Sequence, residues 1–359
     1  CSLYLEAESL TTRDYQCLVD RGWRRSGKII YKPHNSLSCC PQYTIRLNAN
    51  TFKPSRDQRN TIHRWNRFVL GEDYIKEASK KYPKTKEAKK RQKNEFDLAE
   101  TVHAAEYATL QGHIPPEPSH RFEVTLEPAS FSQEKYEVFR NYQIHVHKED
   151  ATKVTPASFI RFLCTSPLER SETNSSKKLG SYHQVYRLDG RVFAFGVLDL
   201  LPDYVSGVYF AYHSDFEKFN LGKLSACREA CLAREGGYAY YGMGMYYISS
   251  CPKMRYKSHY GPSELLDPSS NIYNALTPTL QSSLTSHHYF SPSDAAKGVD
   301  EDKAWEAVED PWEGEEGVMK PGWARRSRMP GLMEAEEVEG CVAGVRLRVG
   351  KQVVPAWVS

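Results

Sequence analysis

The sequence predicts an α/β (α+β) protein of more than one compact part, and three observations carry that expectation. Segments with an apolar period near 3.6 alternate with segments of period two. Three strand-like segments follow one another in mid-chain around an Asp-Gly dipeptide, a strong hairpin signal. At 359 residues the chain also exceeds what one core usually fills. It is 40% hydrophobic and 26% charged, with a mean hydropathy of -0.62, a globular balance that excludes collagen-like, coiled-coil and wholly disordered classes. No window approaches 18 consecutive apolar residues, so no membrane-spanning helix is expected. The first residue is Cys1 rather than Met, which suggests a fragment or trimmed chain whose upstream targeting segment, if any, is out of view.

Residues 1–70 read as a small cysteine-bearing α/β domain. Thr11 or Thr12 caps a helix whose apolar face is Tyr15, Leu18 and Val19, and Gly22 stops it. Two strands follow, 27–32 and 43–47, joined by a loop with Pro33, Asn35, Cys39 and Cys40. A second helix carries Ile62, Trp65, Phe68 and Val69 at helical spacing. Residues 71–119 read as a basic linker, partly helical, ending in a proline-rich stretch.

A second domain is expected over 120–280. Phe122 to Glu127 alternates like a strand, and 133–147 is amphipathic on Tyr136, Phe139, Arg140, Ile144 and Val146. Strands 185–188 and 191–201 flank Asp189-Gly190, and 205–212 adds a third. A helix over 221–233 places Leu224, Cys227, Cys231 and Leu232 on one face, with Gly236-Gly237 as its stop, and 238–248 suits a buried strand. Helix, antiparallel meander, helix, strand is the element order of GNAT-like acyltransferases. Residues 281–359 read as a mostly disordered, acidic tail with a terminal hairpin over 341–358.

The net charge is only +3, but it is unevenly placed. Between Lys76 and Lys93 nine cations face only Glu77 and Glu87, and between Asp294 and Glu316 ten acids face only Lys297 and Lys303. The first run suits phosphates and the second repels them, although solvated linkers are the ordinary use of such runs. Nine cysteines without the dense spacing of a secreted scaffold point to a reducing cytoplasmic or nuclear compartment.

Seven stretches of residues then narrow the reading. Asp20-Arg21-Gly22-Trp23-Arg24-Arg25-Ser26-Gly27-Lys28, with Tyr31-Lys32-Pro33 and Cys39-Cys40-Pro41-Gln42-Tyr43-Thr44-Ile45-Arg46, closely resembles the N-terminal signature of eukaryotic arginyl-tRNA–protein transferases. Ser158 to Cys164, Gly180 to Gln184, Leu221 to Ser225 and Cys251 to Lys257 agree with the same family. The resemblance runs in order over most of 8–280.

It implies an enzyme that moves arginine from arginyl-tRNA to the α-amino group of proteins beginning with Asp, Glu or oxidised Cys, marking them for N-end-rule degradation. Its partners would be arginyl-tRNA and such proteins, with no membrane. The tRNA ester is already activated, so no cofactor and no Ser or Cys nucleophile is required, and no Gly-x-Ser-x-Gly elbow is present. An attacking amine with a free pKa of roughly 7.7–8 needs only mild base help. The site must also offer a cation to the acidic side chain, a carboxylate or aromatic face to the guanidinium, and a basic surface to the acceptor stem.

Arg24, Arg25, Lys28 and Arg46 are the expected substrate cations, Arg24 and Arg25 pointing to opposite faces of a strand so that only one lines a pocket, with Tyr246 beside them. Asp199, His183 and Tyr186 are the polar candidates for catalysis; a carboxylate inside so apolar a run needs a partner if buried. Lys89, Lys90 and Arg91, with Lys223 and the interleaved Lys253, Arg255, Tyr256 and Lys257, suit phosphate contact and base stacking. In the family the vicinal pair works with an upstream Cys-x-x-Cys, giving soft ligands for zinc or an iron–sulfur cluster. Here Cys39, Cys40 and Cys1 are what remains of that set. Cys164, Cys227 and Cys231 read as core thiols without a ligand role.

Two other readings stand beside this one. A non-catalytic module could recognise acidic N-termini or sense redox or metal state through its cysteines. An acetyltransferase would need a glycine-rich pyrophosphate turn, and Asn220-Leu221-Gly222-Lys223-Leu224-Ser225 has a single glycine there.

Overall fold

The computed structural model describes residues 2–171, 177–244, 246–297 and the two-residue strand Leu347–Arg348. The chain divides into two compact units: Cys1–Leu47, Pro167–Arg170 and Met245–Ser359 form the first, and Asn48–Ser166 with Ser171–Gly244 the second. The units interleave along the sequence, unlike the end-to-end order expected from it.

In the first unit the helix Thr12–Val19 begins where the Thr11 hydroxyl accepts the Asp14 N–H at 3.1 Å. It buries Tyr15, Leu18 and Val19. Gly22 then turns the chain at φ +87°, where a Cβ would stand 3.3 Å from the Leu266 side chain. Strands Leu347–Arg348, Ser2–Ala7, Ile29–Pro33 and Arg24–Ser26 form an antiparallel sheet in that order. Its register sets Tyr31 between Tyr4 and Arg24. The expected strands 27–32 and 43–47 both form, but not as partners. The second, Ile45–Asn48, pairs with Ser263–Leu266, which pairs with Tyr273–Ala275. The two strands follow one another in sequence, joined by a loop, but the Ser263–Leu266 partner of the second lies over 200 residues away.

The start of the expected disordered tail is ordered. Helices Pro278–Ser286 and Pro292–Ala296 form, and buried Ser291 donates to the Asp267 carboxylate at 2.7 Å. The rest of that tail and the terminal hairpin lie outside the described residues, apart from 347–348.

The second unit holds a five-stranded array ordered Tyr240–Gly242, Tyr204–Tyr212, Arg191–Leu200, Gly180–Leu188, Phe122–Pro128; only the first pair is parallel. Asp189 at φ 52° and Gly190 at φ 82° make the tight turn that the dipeptide predicts. Residues alternate between faces. Val185, Phe195 and Val197 pack one face against Tyr136 and Phe139 of the helix Gln133–His145, in a cluster with Phe159 and Leu163. Gly196 and Gly207 open the other face to the helix Leu221–Glu235: a Cβ on either would meet the Glu229 carboxylate at 3.2 or 3.1 Å. Helix Arg56–Leu70 starts in a Ser55/Gln58 capping box and buries Trp65 among Phe68, Phe122, Phe193, Phe216 and Phe219.

Residues 71–119 are not a linker. Helices Glu72–Lys81, Lys86–Asn94, Leu98–His103 and Tyr107–Leu110 form there, and Leu98, Val102, Ala105 and Leu110 are buried. With Tyr74, these few apolar side chains among so many charges are too thin a signal for sequence periodicity, but enough to dock the segment.

Candidate functional site

In the second unit the Leu221–Glu235 helix carries two charges into its buried face, Arg228 and Glu229. Arg228 donates to the Val102 carbonyl at 2.8 Å and to the Glu106 carboxylate, with its guanidinium 5.4 and 5.7 Å from the ring centres of Phe122 and Tyr186. Glu229 accepts from the Tyr241 hydroxyl at 2.7 Å, and burial pushes its carboxyl up to about 7. Glu106 also lies 2.7 Å from His103 Nδ1, while His103 Nε2 meets Glu235 at 3.1 Å. Burial raises the Glu106 carboxyl, but His103 and Arg228 overcome that and hold it below the ordinary range. His103 is pushed up to about 10, first by its hydrogen bond with Cys231 and then by that with Glu106. A cavity of about 140 Å³ lies against this network, lined by His103, Glu106, Thr125, Gln184, Arg228 and Glu235 among others. Sequence reading missed these residues; two adjacent charges within the otherwise small and apolar stretch 224–233 were the signal that could have found them.

The three expected catalytic residues are not brought together. Register puts Ser181, His183 and Asp199 on one face of their strands and Tyr186 on the other. His183 Nε2 donates to the Leu163 carbonyl at 2.9 Å, and Nδ1 accepts from Lys135 Nζ at 3.1 Å, so both ring nitrogens are engaged inside the core. Asp199 has the partner its burial demands, the Ser181 hydroxyl at 2.7 Å. The Tyr186 hydroxyl donates to Gln184 Oε1 at 2.7 Å, and burial raises it above the ordinary phenol range.

Of the expected substrate cations, Arg24 and Arg25 are both buried, at 5% exposure each. Arg24 donates to the Trp23 carbonyl at 2.8 Å and lies 5.6 Å from the Tyr246 ring centre; Arg25 donates to the Gly27 carbonyl at 3.1 Å. The alternation argument thus fails: neither face of this three-residue strand is a solvent face. Tyr246 is itself buried and donates to the Gly22 carbonyl at 3.0 Å. Arg46 pairs with Glu264 at 2.7 Å and sits 3.5 Å from the Tyr273 ring centre. Lys28 alone of the set is exposed.

The expected phosphate contacts divide in the same way. Lys90, Arg91, Lys253 and Arg255 are exposed, as is Tyr256, and Arg91 pairs with Glu100 at 2.9 Å. The Lys89 side chain lies outside the described residues. Lys223 is engaged by Asp57. Lys257 is not available to a phosphate: it is 3% exposed and donates to the Tyr246 carbonyl at 2.9 Å.

Cys39 and Cys40 are exposed and Cys1 lies outside the described residues. Among the described residues no third His, Cys, Asp or Glu joins the vicinal pair in a ligand cluster. Two thiols are half of what a tetrahedral zinc or an iron–sulfur cluster needs, so the donors in view do not by themselves fit either group.

Two segments of the chain match models of a single family in order. Residues 2–60 match arginine-tRNA-protein transferase, N terminus, and 134–267 match arginine-tRNA-protein transferase, C terminus, together more than half of the chain. The chain belongs to the arginine-tRNA-protein transferase family. Among curated relatives of this transferase-family chain, arginyl-tRNA–protein transferase 1 of Saccharomyces cerevisiae is 30% identical over 297 residues, covering 77% of the chain and 54% of the relative. The Drosophila melanogaster protein of the same name is 29% identical, covering 84% of each. An aspartate/glutamate leucyltransferase of Pseudomonas fluorescens is 28% identical, covering 74% of the chain and 85% of the relative. The chain thus spans about half the length of the yeast relative and most of the other two.

Proposed function

We propose that this protein transfers arginine from arginyl-tRNA to the α-amino group of proteins that begin with Asp, Glu or oxidised Cys. The observation that carries the reading is the ordered match to both the N- and C-terminal models of one transferase family. The bacterial relative, named for leucine transfer to aspartate and glutamate, supports acidic residues as the acceptor class. No cofactor is proposed for the transfer itself, because the ester is already activated and the attacking group is an amine. The exposed Lys253, Arg255 and Tyr256, on and next to the short helix Pro252–Arg255, offer phosphate contact with a stacking face. Lys90 and Arg91 add a second basic surface. Exposed Lys28 is the proposed cation for the acidic side chain. A metal or cluster at Cys39 and Cys40 is proposed only with further cysteines added to the pair. The proposed compartment is the cytoplasm, extending to the nucleus.

Transfer of radiolabelled arginine to an Asp-starting peptide, with tRNA and arginyl-tRNA synthetase supplied, tests the reading. Incorporation into Asp- but not Asn-starting peptides is expected. No incorporation, with measurable binding of the Asp peptide, would favour the non-catalytic module instead.

A further inference from the structure

Cys231 is fully buried on the inner face of the Leu221–Glu235 helix, and Glu235 follows it by one turn on the same side. His103 ends the Leu98–His103 helix opposite them. The imidazole, thiol and carboxylate ligand atoms all lie within 4.8 Å of one another. Nitrogen, sulfur and oxygen donors bound to one tetrahedral zinc at ~2.0–2.3 Å would stand roughly 3.3–3.6 Å apart, so the cluster needs to close by at most about 1.2–1.5 Å.

We propose that the second unit holds a divalent metal of the zinc class, with His103, Cys231 and Glu235 as its three protein ligands and a fourth position open to the adjoining cavity. Two further features point to a ligand set rather than to an incidental ion network. His103 Nδ1 lies 2.7 Å from the Glu106 carboxylate, which Arg228 in turn fixes. A carboxylate on the second ring nitrogen is the usual device for orienting a metal-ligating histidine and fixing its tautomer. The donors are also graded from inside to outside: Cys231 is closed off from solvent, whereas the His103 and Glu235 side chains are 35% and 41% exposed, which leaves an entry path. Imidazole, thiolate and carboxylate together suit zinc or cobalt better than calcium or magnesium, which favour oxygen donors. On binding, the Cys231 thiol and the His103 Nε2–H each give a proton to solvent, the ion takes the freed sulfur and nitrogen lone pairs, and Glu235 exchanges its contact with His103 Nε2 for the metal.

The test loads the chain carrying Cys39→Ser and Cys40→Ser with Zn²⁺ or Co²⁺, dialyses it and measures metal content and the electronic spectrum. One retained ion per chain is expected, with a thiolate-to-cobalt charge-transfer band. Cys231→Ser should abolish the band, and His103→Gln and Glu235→Gln should each weaken zinc binding at least tenfold. Unfolding of Cys231→Ser by circular dichroism would leave the decision to Glu235→Gln, whose site is at the helix surface. Failure of the parent chain to retain a stoichiometric ion, or unchanged affinity in Glu235→Gln, overturns the proposal. Loss of arginine transfer is not part of the readout, so the metal site and the proposed function stand or fall separately.

Discussion

Lys257 should make the stability of the first unit depend on pH in a direction opposite to that of a salt-bridged lysine. Its ammonium is buried, with its one hydrogen bond given above going to the Tyr246 carbonyl, and burial first, then the Arg24 charge, push it down to about 7. An unfolded lysine titrates near 10.5. Between those values the unfolded chain binds a proton that the folded chain has released, so stability rises with pH across that window. Below about 7 both states are charged and the full cost of burying the cation is present. Each pH unit in the window is worth ~1.4 kcal/mol and the whole shift about 5 kcal/mol.

The substitution Lys257→Met keeps the stem's volume and removes the proton, at a loss of about 1 kcal/mol for the hydrogen bond. Urea unfolding of both proteins from pH 7.5 to 9.5, with hydrogen exchange to localise the effect to the 24–33 strands, measures the difference. Tyr31, pushed up to about 12 by burial, would lower stability as pH passes 10, hence the upper limit. The wild type should gain roughly 2–3 kcal/mol on the variant across that range. Parallel profiles for the two proteins would refute the reasoning.

Trp65 sits among five phenylalanines at 0% exposure, so Trp65→Ala should cost about 3–5 kcal/mol by calorimetry. Trp65→Phe should cost much less, because the indole N–H has no hydrogen-bond partner among the described residues. Arg24→Gln and Arg25→Gln should each lower stability by about 1.5–3 kcal/mol in denaturant titrations, yet leave the preference for Asp- over Asn-starting peptides unchanged. Replacing Lys89, Lys90 and Arg91 by Gln should weaken tRNA binding and reduce the salt slope of log Kd by up to about 2–3, read from filter binding at several salt concentrations.

The elements most legible in sequence were those fixed by local chemistry. Thr11, Gly22, Asp189-Gly190 and the Trp65 helix each announce themselves within a few residues, and the central antiparallel strands followed from them. Partners chosen over long separations were not legible: nothing near Ile45 says that its strand pairs with Ser263–Leu266. The site residues failed for a related reason. A strand's alternation says that Arg24 and Arg25 diverge, but not that both sides are covered, as they are here. Lys257 stands in a run of basic and aromatic residues that reads as surface, and only the fold turns it inward. Asp199 was the converse case, since a carboxylate in an apolar strand demands a partner, and Ser181 supplies it.

The interleaving of the two units also sets an order of events at the ribosome. The second unit is complete once residue 244 has been made, and its central strands pair mostly with their neighbours in sequence. The strand Ile45–Asn48, by contrast, cannot meet its antiparallel partner Ser263–Leu266 until residue 263 emerges. At a synthesis rate of roughly 5–20 residues per second, that is a wait of about 10–40 s. Throughout it, an unpaired apolar edge, a buried-to-be arginine pair and the vicinal cysteines stand open to chaperones and to oxidants.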